Sequence, residues 1–207
     1  MKAKEIVKNF NILVPDARCE LEYSTNFELL VAVILSAQCT DKRVNAVTNN
    51  LFKIARTPDE FKNMPQDKLE KLIYSCGFYH NKAKSIIAAS KDICEKFNGE
   101  VPEKFDDLVS LAGVGRKTAN VMTSEAFKKD AFAVDTHVLR ISNRLGIAHS
   151  KNPDVCEKEL KKYFDQKDWS KLHYQMVLFG RYKCKSQNPN CSDCPFCSIC
   201  NYFKEKK

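Results

Sequence analysis

No stretch of this sequence is rich in glycine, serine or proline and no segment repeats, so its 207 residues contain no recognisable linker and read as one core or two modest ones. Alternating runs of Val, Ile and Thr are missing too. Residues 131–134 (Ala-Phe-Ala-Val) are the single short strand candidate, which excludes a sheet as the organising element and predicts an all-α fold. The longest apolar run, residues 29–35, is too short to cross a bilayer, and no apolar stretch follows the basic start Met-Lys-Ala-Lys. The expectation is a cytoplasmic protein with no membrane partner. Hydrophobic residues at 43% and charged residues at 29% exclude disorder and fibre. Lys and Arg outnumber Asp and Glu by 34 to 26, and a net charge of +8 favours a polyanionic partner.

What the chain does have is cysteine, ten in all, unevenly spread. Cys19, Cys39, Cys76, Cys94 and Cys156 are scattered, whereas Cys184, Cys191, Cys194, Cys197 and Cys200 crowd the end. A disulfide framework would be distributed along a small secreted chain, so this crowding points to metal. Cys184, Cys191, Cys194 and Cys200 are separated by six, two and five residues, with Cys197 as an extra. Four-coordinate zinc and a 4Fe–4S cluster both take four cysteines. Two CxxC pairs at finger spacing are absent, but Cys194-x-x-Cys197-x-x-Cys200 offers a second register, and spacing alone leaves both metals open.

Apolar periodicity predicts helices over residues 4–15 and 26–38, the latter apolar on nearly every side, and then one carrying Val44, Val47 and Leu51. Thr57-Pro58 and Met64-Pro65 each start a short helix. Gly77 ends the second of these, Phe78-Tyr79-His80-Asn81 forms a turn, and a further helix runs over residues 82–97. Later helices are expected over residues 117–126, from Asp135 as N-cap, and over residues 156–164 and 171–182.

Between the helices of residues 105–126, an apolar turn runs into Gly113-Val114-Gly115, and Arg116-Lys117-Thr118-Ala119 reopens a helical period. Two glycines flanking one residue allow positive φ and let a ligand approach the backbone without a Cβ in the way. Their N–H groups and those of the next helix's first turn make a seat for a phosphate, with Arg116 and Lys117 beside it. A plain helical hairpin with capping glycines and two solvated cations fits the same spacing.

The stretch Leu111-Ala-Gly-Val-Gly-Arg-Lys-Thr-Ala119 resembles the helix-hairpin-helix of the endonuclease III family of DNA glycosylases, whose pattern is L-P-G-V-G-x-K-T-A. Ala112 stands where that family usually has proline. Residues 35–41 (Leu-Ser-Ala-Gln-Cys-Thr-Asp), 134–138 (Val-Asp-Thr-His-Val) and 180–184 (Gly-Arg-Tyr-Lys-Cys) resemble family blocks in the same order, and the C-x6-C-x2-C-x5-C ending matches without a gap. The resemblance covers about the whole chain.

It implies two lobes with a DNA groove between them: a helical barrel over residues 19–129 and a second lobe of residues 1–18 plus 130–207. It also implies a 4Fe–4S cluster on Cys184, Cys191, Cys194 and Cys200, with Cys197 a bystander. Lys117 becomes the nucleophile that forms a Schiff base with the sugar, and Asp135 the carboxylate that orients or deprotonates it. Gln38 and Phe78 match positions that enter the duplex. Gly113, Val114, Gly115 and Arg116, with Lys183 and Lys185, become DNA contacts. Read without the family, Asp135 is an N-cap, Phe78 a core residue and the two lysines solvated.

The implied activity is removal of damaged, oxidised pyrimidines by a monomer acting on double-stranded DNA with damaged bases or abasic sites, followed by lyase cleavage. A monofunctional glycosylase using activated water is disfavoured by the lysine at 117. A non-enzymatic DNA-binding module leaves Lys117 and Asp135 unexplained.

Overall fold

A computed structural model describes residues 3–205. The described residues form α1 (Ala3–Leu13), α2 (Asn26–Ser36), α3 (Asp41–Leu51), α4 (Pro58–Lys62), α5 (Gln66–Ile73), α6 (Tyr79–Lys96), α7 (Phe105–Ser110), α8 (Arg116–Glu125), α9 (Thr136–Arg144), α10 (Pro153–Tyr163), α11 (Trp169–Tyr182) and α12 (Asn201–Lys204). Short 3-10 turns lie at Tyr74–Cys76 and Gln166–Asp168. The chain divides into two compact units, one of residues 20–129 and one that joins the residues up to Cys19 with those from Asp130 onward. Among the described residues there is no strand, and no helix is long and apolar enough to cross a membrane.

In the unit of residues 20–129, α2 is the central element, packed against α3, α6 and α8. Its apolar surface on every side explains this, for Phe27 through Leu35 are all buried. The one charge among them, Glu28, is 1% exposed and is balanced locally. Its carboxylate accepts from Ser24 N at 2.6 Å and from Arg56 Nε at 2.7 Å. Thr25 caps the helix by accepting from Glu28 N at 3.1 Å.

Two boundaries differ from the periodicity. α2 stops at Ser36, two residues early, because Ala37 turns out at ψ 114° and Cys39 N bonds Ser36 O, with Gln38 at φ +53°. α6 begins at Tyr79, three residues early. Only Phe78, at φ +47°, belongs to the expected turn, and one left-handed residue after Gly77 reverses the chain at once. Tyr79, His80 and Asn81 therefore make a first helical turn that carries no apolar period.

In the other unit, α9 packs against α10 and α11, and α11 against α1. Phe10 of α1 is fully buried, its ring 5.6 Å from that of Phe179 and 4.8 Å from that of Phe196. α10 begins at Pro153, capped by Asn152, and α11 at Trp169, whose indole Nε1 donates to Phe164 O. Both starts precede the apolar period, since proline and a cap set one and an aromatic anchor the other. Residues 131–134 are buried and do not form a strand. Side chains of α11 take the backbone groups instead, with Ser170 Oγ at Ala131 and His173 Nδ1 2.8 Å from Ala133 O.

Candidate active site

The hairpin turns on Gly113. It sits at φ +76°, and a Cβ built there would lie 2.7 Å from Ser85 Cβ, so both backbone conformation and the contact with α6 require glycine. Gly115 corrects the expectation of two positive-φ glycines. It is extended, at φ −88° and ψ 177°, because it is the N-cap of α8, and a Cβ there would meet only open space. Val114 between the two glycines is 5% exposed, and its N–H donates to Leu111 O at 3.1 Å.

Gly115 supplies no side-chain acceptor to the first turn of α8, so that turn presents its positive end outward. Arg116 and Lys117 open the turn, both exposed. The Arg116 guanidinium lies 5.2 Å from the centroid of the Phe105 ring on α7. In the same unit Gln38 and Phe78 are exposed at the tips of their loops. Phe78 at 64% exposure is not a core residue.

Asp135 lies in the other unit as the N-cap of α9. Its Oδ1 accepts from His137 N at 2.9 Å and Val138 N at 2.8 Å. Both cap hydrogen bonds use Oδ1. Lys117 and Asp135 are thus both first-turn features of helices, one presented by a glycine cap and one itself a cap.

The five C-terminal cysteines line one largely enclosed cavity with Phe179, Phe196 and Tyr202. Among the described residues no three His, Cys, Asp or Glu side chains are gathered closely enough for a single metal ion. Four of these cysteines supply the all-sulfur donor set that both zinc and a 4Fe–4S cluster take. Burial pushes the Cys194 thiol up to about 11 and raises that of Cys200, so thiolates there require cationic compensation of the kind that metal supplies. Cys197 Sγ donates to Cys191 O at 3.2 Å, a contact that uses the protonated thiol.

Sequence reasoning missed the side chains that hold this loop. Arg144 Nη1 donates to Cys184 Sγ at 3.2 Å and to Lys185 O at 2.8 Å, and its guanidinium lies 4.0 Å from the Tyr202 ring centroid. Arg140 Nη2 donates to Gly180 O at 2.8 Å and to Cys184 O at 3.1 Å. His137, half-buried beside Arg140, has its pKa lowered, first by burial. Lys183 is ion-paired to Asp193 at 2.7 Å across the cysteine loop, and Lys185 is exposed. A buried lysine on α6, Lys82, also escaped notice. Its signal was its place in step with Ile86, Ala89 and Ile93 on the apolar face.

The family model described as HhH-GPD superfamily base excision DNA repair protein matches residues 31–166. Endonuclease III of Bacillus subtilis (strain 168) is 50% identical over 189 residues, 91% of this chain and 86% of the relative. Endonuclease III of Rickettsia conorii is 42% identical over 98% of each chain. A solved structure of endonuclease III trapped as a covalent intermediate with DNA superposes with a TM-score of 0.95 at 45% identity, covering 100% of this chain and 99% of that one. Over nearly its full length, the chain belongs to the endonuclease III family of helix-hairpin-helix base excision DNA repair enzymes.

Proposed function

We propose that this enzyme, acting as a monomer, releases oxidised pyrimidines from double-stranded DNA and cleaves the resulting abasic site with Lys117 as nucleophile. As a family member the chain is a base excision repair DNA glycosylase and abasic-site lyase. An intracellular, DNA-associated location follows from that substrate. The observation that carries the assignment of residues is the hairpin, which offers an uncapped helix start with an exposed lysine in its first turn.

A damaged base stacked in a duplex must first be extruded. Gln38 and Phe78 enter the duplex to fill and wedge the vacated stack, while backbone N–H groups of the hairpin hold a flanking phosphate. The Lys117 amine, in its neutral form, then attacks C1′, and the C1′–N bond breaks with its electron pair leaving on the base. A proton leaves the Lys117 nitrogen and one is delivered to O4′ as the C1′–O4′ bond breaks, which gives a protonated imine, while the released base takes up a proton from solvent. The imine acidifies the 2′ hydrogens. Removal of one of them breaks the 3′ C–O bond, the 3′ phosphate departs, and water hydrolyses the imine to return the amine. Asp135 takes the proton from Lys117 and stabilises cationic character on the sugar.

We infer further that Cys184, Cys191, Cys194 and Cys200 hold a 4Fe–4S cluster, with Cys197 outside the ligand set. When bound, such a cluster cross-links the loop and compensates its buried thiolates.

Borohydride added during turnover on an abasic duplex should leave protein and DNA covalently joined through Lys117. Lys117→Gln should abolish trapping and strand cleavage while duplex binding persists, because the hairpin glycines remain. Undiminished trapping in that variant overturns the assignment.

A further inference from the structure

The Lys82 side chain is 6% exposed, on the face of α6 that meets the core. Its Nζ donates to three carbonyls: Leu35 O at 2.8 Å, Ala37 O at 2.8 Å and Cys76 O at 2.7 Å. An ammonium has three hydrogens and meets three acceptors here. A neutral amine has two and would leave a buried carbonyl unmet. Burial lowers the pKa of Lys82, as it raises that of its neighbour Cys76, yet the acceptor count fits the charged form.

The position of the three carbonyls in the chain is what gives the contact a meaning. Leu35 and Ala37 close α2 directly before Gln38, and Cys76 directly precedes Gly77-Phe78. Gln38 at φ +53° and Phe78 at φ +47° are both non-glycine residues in the left-handed region, a conformation that persists only where the surroundings fix it. One buried cation therefore grips the shoulders of both loops. It does so from α6, the helix that also packs Ser85 against Gly113.

We propose that Lys82 is a positioning residue that ties the Gln38 and Phe78 loops into one rigid device, so that both side chains enter the duplex together. The proposal rests on the reading that Gln38 and Phe78 enter DNA. It assigns Lys82 no contact with substrate.

The test uses the full-length, metal-loaded enzyme and two substrates: an abasic site in a fully paired duplex, and the same site inside an unpaired bubble where little unstacking work remains. Lys82→Met keeps the apolar stem and removes the three donors. It should slow cleavage of the paired substrate by about tenfold or more and that of the bubble by no more than about threefold, as Gln38→Ala and Phe78→Ala should. A 2-aminopurine placed beside the site should lose its fluorescence rise on binding. Should Lys82→Met fail to fold, Lys82→Gln keeps two of the donors and should show the same selectivity in weaker form. Equal losses on both substrates in the Lys82 variant, with selective losses in the two loop variants, overturn the clamp alone. No selective loss in Gln38→Ala and Phe78→Ala overturns the reading of duplex entry and the clamp with it.

Discussion

The two hairpin glycines are the same residue type two positions apart, yet they are required for different reasons. At Gly113 a side chain meets both an unfavourable φ of +76° and Ser85 Cβ at 2.7 Å. Gly113→Ala should therefore lower stability by at least about 1–2 kcal/mol, the cost of a left-handed residue, with a further loss as α6 is pushed back. At Gly115 the backbone is extended and the space around a Cβ is open, so Gly115→Ala should change stability by no more than about 0.5 kcal/mol. That Cβ would stand at the face proposed to receive a phosphate, and affinity for an abasic-site duplex should fall all the same. Thermal melts and binding isotherms of the two variants check this: stability lost in the first, affinity without stability in the second. The sequence made the hairpin legible but not this division, because φ at each glycine is set by α6 behind one and α8 beyond the other. Asp135 as a helix cap was legible from its place before an apolar period, and its hydrogen bonds agree.

Among the elements, α1 to α11 were legible as helices and their starts less so, while the single turn of α12 had no expectation. α6, α10 and α11 all begin before their apolar period does, with a left-handed Phe78, a Pro153 cap motif and a Trp169 anchor. Periodicity reports which face is buried, and a first turn made by caps buries little. The cysteine loop shows the converse. Spacing located it without saying what fixes it, since Arg140 and Arg144 reach it from α9, some forty residues earlier in the chain. Within the loop, Cys194 is half-buried at the shared cavity and belongs to the proposed ligand set, whereas Cys197 spends its S–H on the Cys191 carbonyl. Cys194→Ser should therefore lose the iron and the broad visible absorption of anaerobically prepared protein. Cys197→Ser should keep both, because a serine hydroxyl can make the same bond. Stoichiometric zinc in place of iron would overturn the cluster assignment.

At the scale of the whole molecule, the all-α class followed from the lack of alternating runs, but the partner of the first helix did not follow from any local pattern. Periodicity showed only that α1 has an apolar face. In the structure that face closes the cysteine-bearing unit: Gln175 Nε2 donates to Asn11 Oδ1 at 3.0 Å and to Val14 O at 3.2 Å, and Phe10 packs between Phe179 and Phe196. Phe196 lies between Cys194 and Cys197 in the chain and is itself fully buried. The floor under the cysteine loop is therefore supplied from residue 10, at the opposite end of the sequence. Phe10→Ala should cost about 3–5 kcal/mol, as an aromatic deletion in a closed core does, and the loss should fall first on the loop that rests on the cavity. The expected signature is faster loss of iron to a chelator from Phe10→Ala at a temperature where helix content is still native. Ile12→Ala on the exposed side of the same helix, 67% open to solvent, should bleach at the rate of the unaltered protein. Equal bleaching rates in the two variants would mean that α1 only completes the core and does not brace the cysteine loop.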